Sequence, residues 1–176
     1  ANTNQMLPGF TTTRAGVDGL KTGSTSFYVD CFAATTVQNG FRIITVILEA
    51  KDPSVDNSTP FTLTNDLMNQ VYASWTNADI LSKDEQLSDF PKLPVRDGKK
   101  NSIDLIAKDN FSAVVPLKNG TADMNAMEIT FDLDPKTNIE APVKKGEELV
   151  QATATQKDKL GYLPGFSGYH FPLTAK

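Results

Sequence analysis

The pair Asn39-Gly40 places the strongest constraint on this fold, because it separates two apolar runs of strand length. Asn-Gly is a hairpin signal, since both residues tolerate a positive φ angle. The run 41–50 after the pair is rich in β-branched residues and apolar enough for a central strand. Residues 26–37 before it, and 17–23 further upstream, are two more candidate strands. The sequence therefore predicts three consecutive antiparallel strands.

The hydrophobic period changes after these strands. Apolar residues recur at three- and four-residue steps over about 60–76, which predicts one amphipathic helix. Thr62 or Thr64 is the expected helix cap, and Trp75 is the expected core anchor. The residues that carry the helical period are Leu63, Leu67, Met68, Val71, Tyr72 and Trp75.

The spacing of apolar residues changes again in the second half of the chain. From about residue 80, short alternating runs are separated by turn pairs, which is typical of a small all-β sandwich or barrel. The composition, 39% apolar and 22% charged, indicates a folded chain. We predict an α/β part over residues 1–82, with antiparallel strands plus a helix, followed by an all-β sandwich over residues 83–176. The turn pairs are Asp97-Gly98, Asp109-Asn110 and Asn119-Gly120.

Charge and hydropathy exclude several classes of partner. The net charge is −4, and no basic patch is mixed with aromatic residues, so nucleic acid is not an expected partner. No apolar run approaches the ~18 residues of a membrane span. The first residues are polar, so we expect no signal peptide in this chain. Asp132 and Asp134 have no His or Cys neighbour, and we expect neither a metal nor a cofactor.

Four single residues have simple structural interpretations. Cys31 is the only cysteine, and we expect a buried small apolar side chain that forms no internal disulfide. His170 is expected to be a half-buried strand residue. Arg14 and Asp18 flank the first candidate strand, so the sequence suggests either a salt bridge between them or a contact with a substrate.

The tripeptide Lys21-Thr22-Gly23 carries the most chemical information. At the edge of a sheet, Lys21 places a cation beside a pocket and Thr22 adds a hydroxyl. Gly23 has no side chain, so a ligand backbone can lie against the strand. The next backbone N–H, from Ser24, can then act as an oxyanion donor. This arrangement suits a substrate that ends in a carboxylate and presents a carbonyl for attack.

Several segments together resemble one family, the low-molecular-weight penicillin-binding proteins, which are serine-type D-alanyl-D-alanine carboxypeptidases. In that family the active-site strand is followed by two more strands, a helix and a β-rich C-terminal domain. The resemblance covers nearly the whole chain. It is carried by Asn2-Thr3-Asn4, the run Gly16-Val17-Asp18-Gly19-Leu20-Lys21-Thr22-Gly23, the strand Phe32-Ala33-Ala34-Thr35-Thr36, the strand Arg42-Ile43-Ile44-Thr45-Val46-Ile47-Leu48, and Ala141-Pro142-Val143-Lys144-Lys145-Gly146.

The resemblance also shows what the sequence lacks. The family's nucleophile lies in a Ser-x-x-Lys motif and is assisted by a Ser-x-Asn motif, and neither motif occurs here. The family's terminal amphipathic anchor helix is not recognisable either. We therefore expect the C-terminal part of such an enzyme, inactive alone and completed by an N-terminal portion that carries the serine. The first part of the chain should then be a partial penicillin-binding/β-lactamase-like domain with one apolar sheet face exposed.

The resemblance implies a role for a few residues only. Lys21 and Thr22 should bind the terminal carboxylate of the substrate. The Ser24 N–H should form half of the oxyanion hole, which makes Ser24 the one catalytic position in this chain. Gly23 and Thr25 should border the substrate. Family members often have His or Tyr where Ser24 stands, so the local pocket shape is expected to differ.

The resemblance further implies where the parent enzyme acts and on what. It would trim the stem pentapeptides of peptidoglycan through an acyl-serine intermediate, bind β-lactam antibiotics at the same serine, and work at the outer face of the bacterial cell membrane. Contact with the membrane would require a segment that this chain lacks.

A second hypothesis is a non-catalytic, β-rich binding or spacer module. The segment around Lys144 and Lys145 is similar to the lysine hairpins of biotinyl and lipoyl carrier domains. Charged residues before a turn at Gly146 explain the two lysines more simply.

Overall fold

The structure is a computed structural model that describes residues 2–25, 29–50, 58–86, 89–133, 138–157 and 164–176. The chain divides into two compact units. The first unit comprises Ala1–Asn77 and Pro116–Thr121, and the second comprises Ala78–Val115 and Ala122–Lys176.

The first unit contains a three-stranded antiparallel sheet. Its strands are β1 (Val17–Thr25), β2 (Val29–Gln38) and β3 (Phe41–Ala50), in the order β1-β2-β3. Asn39 and Gly40 have φ angles of 52° and 77°, so the predicted Asn-Gly hairpin is confirmed. Residues 26–28 of the predicted second strand lie outside the described residues. The predicted meander is otherwise as expected.

One helix, α1 (Thr59–Ser74), packs against β2 and β3. Its buried side chains include Phe61, whose ring meets the Phe32 ring of β2 at a centroid distance of 4.8 Å. The predicted caps are wrong, because Thr62 and Thr64 lie within the helix and the N-cap is Ser58, which makes no side-chain cap hydrogen bond. The Thr64 hydroxyl instead donates to the Pro60 carbonyl oxygen at 2.7 Å.

Trp75 does not belong to the helix. It has extended backbone angles, closes α1 as the C-cap, and begins strand β4 (Trp75–Leu81). Its side chain is only partly buried. The helical spacing of Trp75 was therefore misleading, because an apolar residue one step beyond the last turn also fits the start of a strand.

The sheet of the first unit has one covered and one open face. Phe32 and Ala34 point to the α1 side and are buried at 1% and 0% exposure. Side chains alternate along a strand, so the opposite face of β3 carries Ile44, Val46 and Leu48. These three side chains are 64%, 58% and 70% exposed. The expected exposed apolar face is therefore present.

Short strands dominate the rest of the chain. They are β5 (Leu93–Arg96), β6 (Ser102–Ile103), β7 (Leu105–Ala107), β8 (Phe111–Lys118), β9 (Thr121–Ala122), β10 (Met127–Asp132), β11 (Ile139–Glu140), β12 (Glu148–Gln156) and β13 (Tyr169–Ala175). Together with β4 they form a four-stranded sheet in the order β10-β12-β13-β7 and two three-stranded sheets in the orders β11-β5-β6 and β4-β8-β9. A 3-10 turn at Met124–Ala126 precedes β10.

The second unit has a closed hydrophobic core. Leu105, Val115 and Leu173 are 0% exposed, and the rings of Phe111 and Phe171 stack with centroids 4.6 Å apart. Aromatic side chains of this kind contribute much of the buried apolar area of a small domain. The predicted fold class, an α/β part followed by an all-β part, is confirmed. None of the helices among the described residues is both long and apolar enough to cross a membrane.

Candidate active site

Residues 21–25 lie on the outermost strand of the sheet. Strand β1 pairs with β2 in antiparallel register, with Lys21 opposite Ala33 and Gly23 opposite Cys31. In the sheet order β1-β2-β3, the other side of β1 has no strand neighbour among the described residues. An edge strand presents free backbone groups to an extended ligand. The sequence-predicted tripeptide is thus in a position where a peptide chain can approach it.

A cavity of about 380 Å³ lies beside this strand, within the first unit. Its lining includes Thr22, Gly23 and Ser24 from β1, together with Asp30 and Cys31 from β2. The N-terminal segment and the start of α1 supply the remaining walls. Three of the five predicted site residues therefore share one cavity.

Lys21 is not among the described residues that line this cavity. Its side chain is exposed, and its ammonium group donates a hydrogen bond to the carbonyl oxygen of Thr22. It forms no ion pair with any of the described residues. The Lys21 ammonium group is therefore exposed on the edge strand, and no carboxylate among the described residues forms an ion pair with it.

The hydroxyl groups at the cavity wall are held by specific partners. The Ser24 hydroxyl donates to Asp30 Oδ1 at 2.6 Å, across the β1–β2 pair. The Thr22 and Thr3 hydroxyl oxygens are 2.5 Å apart. A hydroxyl that is held this way presents one orientation rather than several, so the Thr22 side chain is already oriented before any ligand arrives. Thr25 is in β1, but its side chain lies outside the described residues.

The N-terminal segment supports the strand through Asn4, which is only 3% exposed. Its Nδ2 donates to the Gly19 carbonyl oxygen at 3.4 Å, and its Oδ1 accepts from the Met6 N–H at 2.9 Å. In the sequence, this segment contributed only its family likeness, and its supporting role was not predicted. The residue type was the available signal, because Asn often forms Asx turns, in which its side chain bonds the backbone two residues onward.

The charged residues around β1 pair differently from the prediction. Asp18 accepts hydrogen bonds from both terminal nitrogens of Arg42, at 2.9 and 2.8 Å, and not from Arg14. Hydrogen bonding by Arg42 holds the pKa of Asp18 below its ordinary value. Arg14 instead donates to the side chains of Asn65 and Asn69 on α1, at 2.5 and 2.6 Å. The predicted Arg14–Asp18 salt bridge is therefore wrong.

Two family models match this chain in sequence. The model described as penicillin-binding protein 5, C-terminal domain, matches residues 75–176, which is more than half of the chain. The model described as D-alanyl-D-alanine carboxypeptidase matches residues 1–52. The chain belongs to the low-molecular-weight penicillin-binding proteins. The family likeness seen in the sequence is thereby confirmed.

Individual relatives give the same assignment. D-alanyl-D-alanine carboxypeptidase DacF of Bacillus subtilis (strain 168) is 27% identical over 148 residues, which cover 84% of this chain and 34% of DacF. The chain thus spans about a third of the length of this curated relative.

Solved structures share the fold. The peptidoglycan synthesis regulatory factor (PBP3) from Streptococcus pneumoniae is 28% identical with a TM-score of 0.69, covering 98% of this chain and 44% of that one. The D-alanyl-D-alanine carboxypeptidase DacD from Francisella tularensis is 19% identical with a TM-score of 0.50, covering 99% and 38%.

Cys31 and His170 do not occupy the environments predicted for them. Cys31 is a free thiol that is only partly buried, because it faces Gly23, which has no side chain to cover it. His170 in β13 is exposed, and its Nδ1 and Nε2 lie 2.9 Å from the hydroxyls of Thr153 and Ser167. Within the described part of the chain, no group of three or more His, Cys, Asp or Glu side chains is placed to hold a metal ion.

Proposed function

We propose that the first unit forms one wall of the acyl-transfer site of a D-alanyl-D-alanine carboxypeptidase. The observation that carries this proposal is the shared cavity of Thr22, Gly23 and Ser24 on an edge strand, with the exposed Lys21 preceding them in the same strand. An edge strand can align an extended peptide, while a cation and a hydroxyl can bind the carboxylate at its end. The matching family model over residues 1–52 supports the same reaction class.

Each proposed role follows from the group that the residue offers. Lys21 and the Thr22 hydroxyl bind the terminal carboxylate of the substrate. Gly23 leaves room for the substrate backbone, and Thr25 lies beside it further along β1. The Ser24 N–H stabilises the oxyanion, because the Ser24 hydroxyl is already donated to Asp30.

The nucleophile of this reaction comes from outside the chain. A serine hydroxyl in a Ser-x-x-Lys motif attacks the carbonyl of the D-alanyl-D-alanine bond, the terminal D-alanine leaves, and water hydrolyses the acyl-serine. β-Lactams acylate the same serine.

The substrate is the stem pentapeptide of peptidoglycan, which places the enzyme at the outer face of the bacterial cell membrane. Residues 1–82 then belong to the catalytic domain and residues 83–176 to a separate β domain.

The exposed apolar face of β3 is the surface that receives the nucleophile-bearing portion of the enzyme. Ile44, Val46 and Leu48 form a contiguous patch on the sheet face opposite α1. A soluble protein rarely leaves a contiguous apolar sheet face uncovered. The N-terminal portion therefore both supplies the serine and buries this face.

Fluorescent penicillin tests the proposal directly. Incubated alone and run on a denaturing gel, this chain should give no labelled band at 19.1 kDa. In the full-length enzyme that contains it, the serine should be labelled, and Lys21→Ala should slow labelling by roughly a hundredfold, as for the loss of other charge-stabilising groups. The matched control is Lys83→Ala, an exposed lysine in the second unit.

Three results would contradict the proposal. They are a labelled band from the chain alone, a full-length protein that is never labelled, and equal labelling rates for the Lys21 and Lys83 variants.

A non-catalytic spacer or binding module remains the second candidate for residues 83–176. The closed core of the second unit favours it, because that unit buries its own apolar residues without help from a partner. Lys144 and Lys145 are exposed beside Gly146, which has a φ angle of 82°. An intact-mass measurement decides the carrier version of this candidate, which requires a lipoyl or biotinyl adduct on one of these lysines.

A further inference from the structure

The second unit contains a cleft of about 1060 Å³ that none of the roles above uses. It lies between the β5–β6 hairpin and residues 141–143, and it also includes Lys176 after β13. Its volume is at the upper end of the range for small-molecule sites. Every residue that lines it belongs to the second unit.

The charged groups of this cleft are unbalanced. Among the described residues, four lysines line it, Lys92, Lys99, Lys100 and Lys176, against two side-chain carboxylates, Asp97 and Asp104. The described side chains of the cleft therefore include two more cations than anions, in a chain whose side chains have a net charge of −4. A local cationic cleft on an acidic protein attracts anions selectively to that place.

The ion pairs of the cleft show which cations are available. Lys92 Nζ lies 3.1 Å from Asp104 Oδ1, and the hydrogen bond between them lowers the pKa of Asp104. Lys176 donates to the neutral side chain of Gln86 at 2.8 Å. Within the described residues, Lys99 and Lys100 form no ion pair. These two lysines, which are adjacent in sequence, are therefore the ones whose charges a ligand can neutralise.

The hairpin tip that carries these lysines is packed onto the wall of the cleft. A Cβ added to Gly98 would lie 2.9 Å from Val95 Cγ1 and 3.1 Å from the Lys100 carbonyl oxygen. The first distance is shorter than real Cβ contacts and the second is shorter than most of them, so glycine lets the tip sit this close to Val95 without displacing its side chain. The tip is thus a defined part of the cleft wall.

We propose that this cleft binds a phosphate ester through Lys99 and Lys100. Lysine ammonium groups bind phosphate as point charges, whereas paired recognition of a carboxylate favours arginine, and no arginine lines the cleft. A phosphate monoester has a charge close to −2, which matches the surplus of two cations. The apolar walls Val95, Ile103 and Pro142 accommodate the organic part of the ester. The monoester belongs either to a soluble molecule or to a phospholipid whose headgroup is itself a phosphate monoester.

Glycerol 3-phosphate is a suitable probe, because its neutral and carboxylate analogues are available. Titrated into the isotope-labelled full 176-residue chain at millimolar concentration, it should shift the amide resonances of residues 97–104 saturably. Glycerol should cause no such shift, and glycerate should bind several-fold more weakly. No saturable shift, or equal affinity for glycerate, would overturn the proposal.

A pair of charge-matched variants locates the site. Lys99→Glu with Lys100→Glu should weaken glycerol 3-phosphate binding by roughly tenfold or more, given the strength of exposed charge pairs. Lys83→Glu with Lys157→Glu makes the same change in net charge at exposed lysines outside the cleft and should leave the affinity within about twofold. Equal losses in the two variants would refute the site, and thermal melts confirm that both variants fold.

Vesicles distinguish the two sources of the ester. Sedimentation with phosphatidylcholine vesicles that contain phosphatidic acid, whose headgroup is a phosphate monoester, and loss of sedimentation in the Lys99/Lys100 variant, identify a headgroup as the ligand. Phosphate binding without vesicle binding identifies a soluble ester, and both results support the cleft. None of these readouts depends on peptidase activity, so the cleft and the proposed enzyme function can fail separately.

Discussion

The two units of this molecule bury their apolar residues to different extents. Leu105 and Leu173 in the second unit are 0% exposed, whereas Leu48 on β3 in the first unit is 70% exposed. Ile44 and Val46 beside it are 64% and 58% exposed. The second unit thus closes its own core, while the first closes one face of its sheet and leaves the other open. This difference is the one expected if a further part of the enzyme covers the first unit, as proposed above.

The open apolar face and the proposed site lie in the same unit. Burial of apolar area stabilises by roughly 25 cal/mol per Å², so an uncovered sheet face forgoes a large part of its possible stability. Natural sequences retain such a face where a partner covers it. In the first unit, that face and the cavity beside Thr22 lie on the same small sheet. The unit with the open face is therefore also the unit that carries the residues we propose for the active site.

The largest expected effect comes from a matched pair of leucine substitutions. Leu173→Ala should lower the free energy of unfolding of the second unit by about 2–5 kcal/mol, because it leaves a cavity in a closed core. Leu48→Ala should change the stability of the isolated chain by less than about 0.5 kcal/mol. Denaturant unfolding followed by tryptophan fluorescence and circular dichroism measures both. Similar losses for the two variants would remove the distinction between the units.

A smaller loss is expected from the buried asparagine that supports β1. Asn4→Ala removes the acceptor for the Met6 N–H and the donor to Gly19, and unpaired buried groups cost about 1–3 kcal/mol. Amide exchange in β1 should accelerate as a result. Asn101→Ala, at an exposed position in the second unit, is the control and should leave β1 unchanged. Unaltered β1 exchange in the Asn4 variant would show that the N-terminal segment does not support the strand.

The smallest effect concerns the pH dependence of the first unit. Arg42 lowers the pKa of Asp18 in the folded state, so the Asp18–Arg42 interaction stabilises the fold above the unfolded-state pKa of about 3.9. This contribution is lost as the pH falls through the lowered folded-state pKa. The stability difference between the unmodified chain and Asp18→Asn should therefore shrink below roughly pH 4. If the stability difference instead grew as the pH fell, the pKa of Asp18 would not be lowered in the folded state.

Local signals in the sequence predicted much of the fold. The Asn39-Gly40 turn and the helical period before residue 75 depend on neighbouring residues, and both are present in the structure. The end of the helix was missed because Trp75 satisfies the helical period and also begins β4. His170 was expected to be half-buried, but strand alternation turns Phe171 into the core and leaves His170 outside.

The site was less predictable because it depends on strand register. Asp18 and Arg42 are 24 residues apart, and only the pairing of β1, β2 and β3 brings them together. The nearer Arg14 was the obvious candidate from the sequence. Cys31 was expected to be buried, and the pairing that places it opposite Gly23 could not be foreseen without the register. The lysine cleft likewise joins residues from 92 to 176, which no local pattern connects.

Hydrogen–deuterium exchange of β3 is the sharpest test of whether a further part of the enzyme covers the first unit, because β3 carries the open apolar face. Exchange is measured by mass spectrometry in this chain alone and in the proposed full-length enzyme. We expect β3 amides to exchange far more slowly in the full-length enzyme, whereas β12 amides in the closed core should exchange at the same rate in both. Equal protection of β3 in the two samples would contradict the claim that another part of the enzyme completes the first unit.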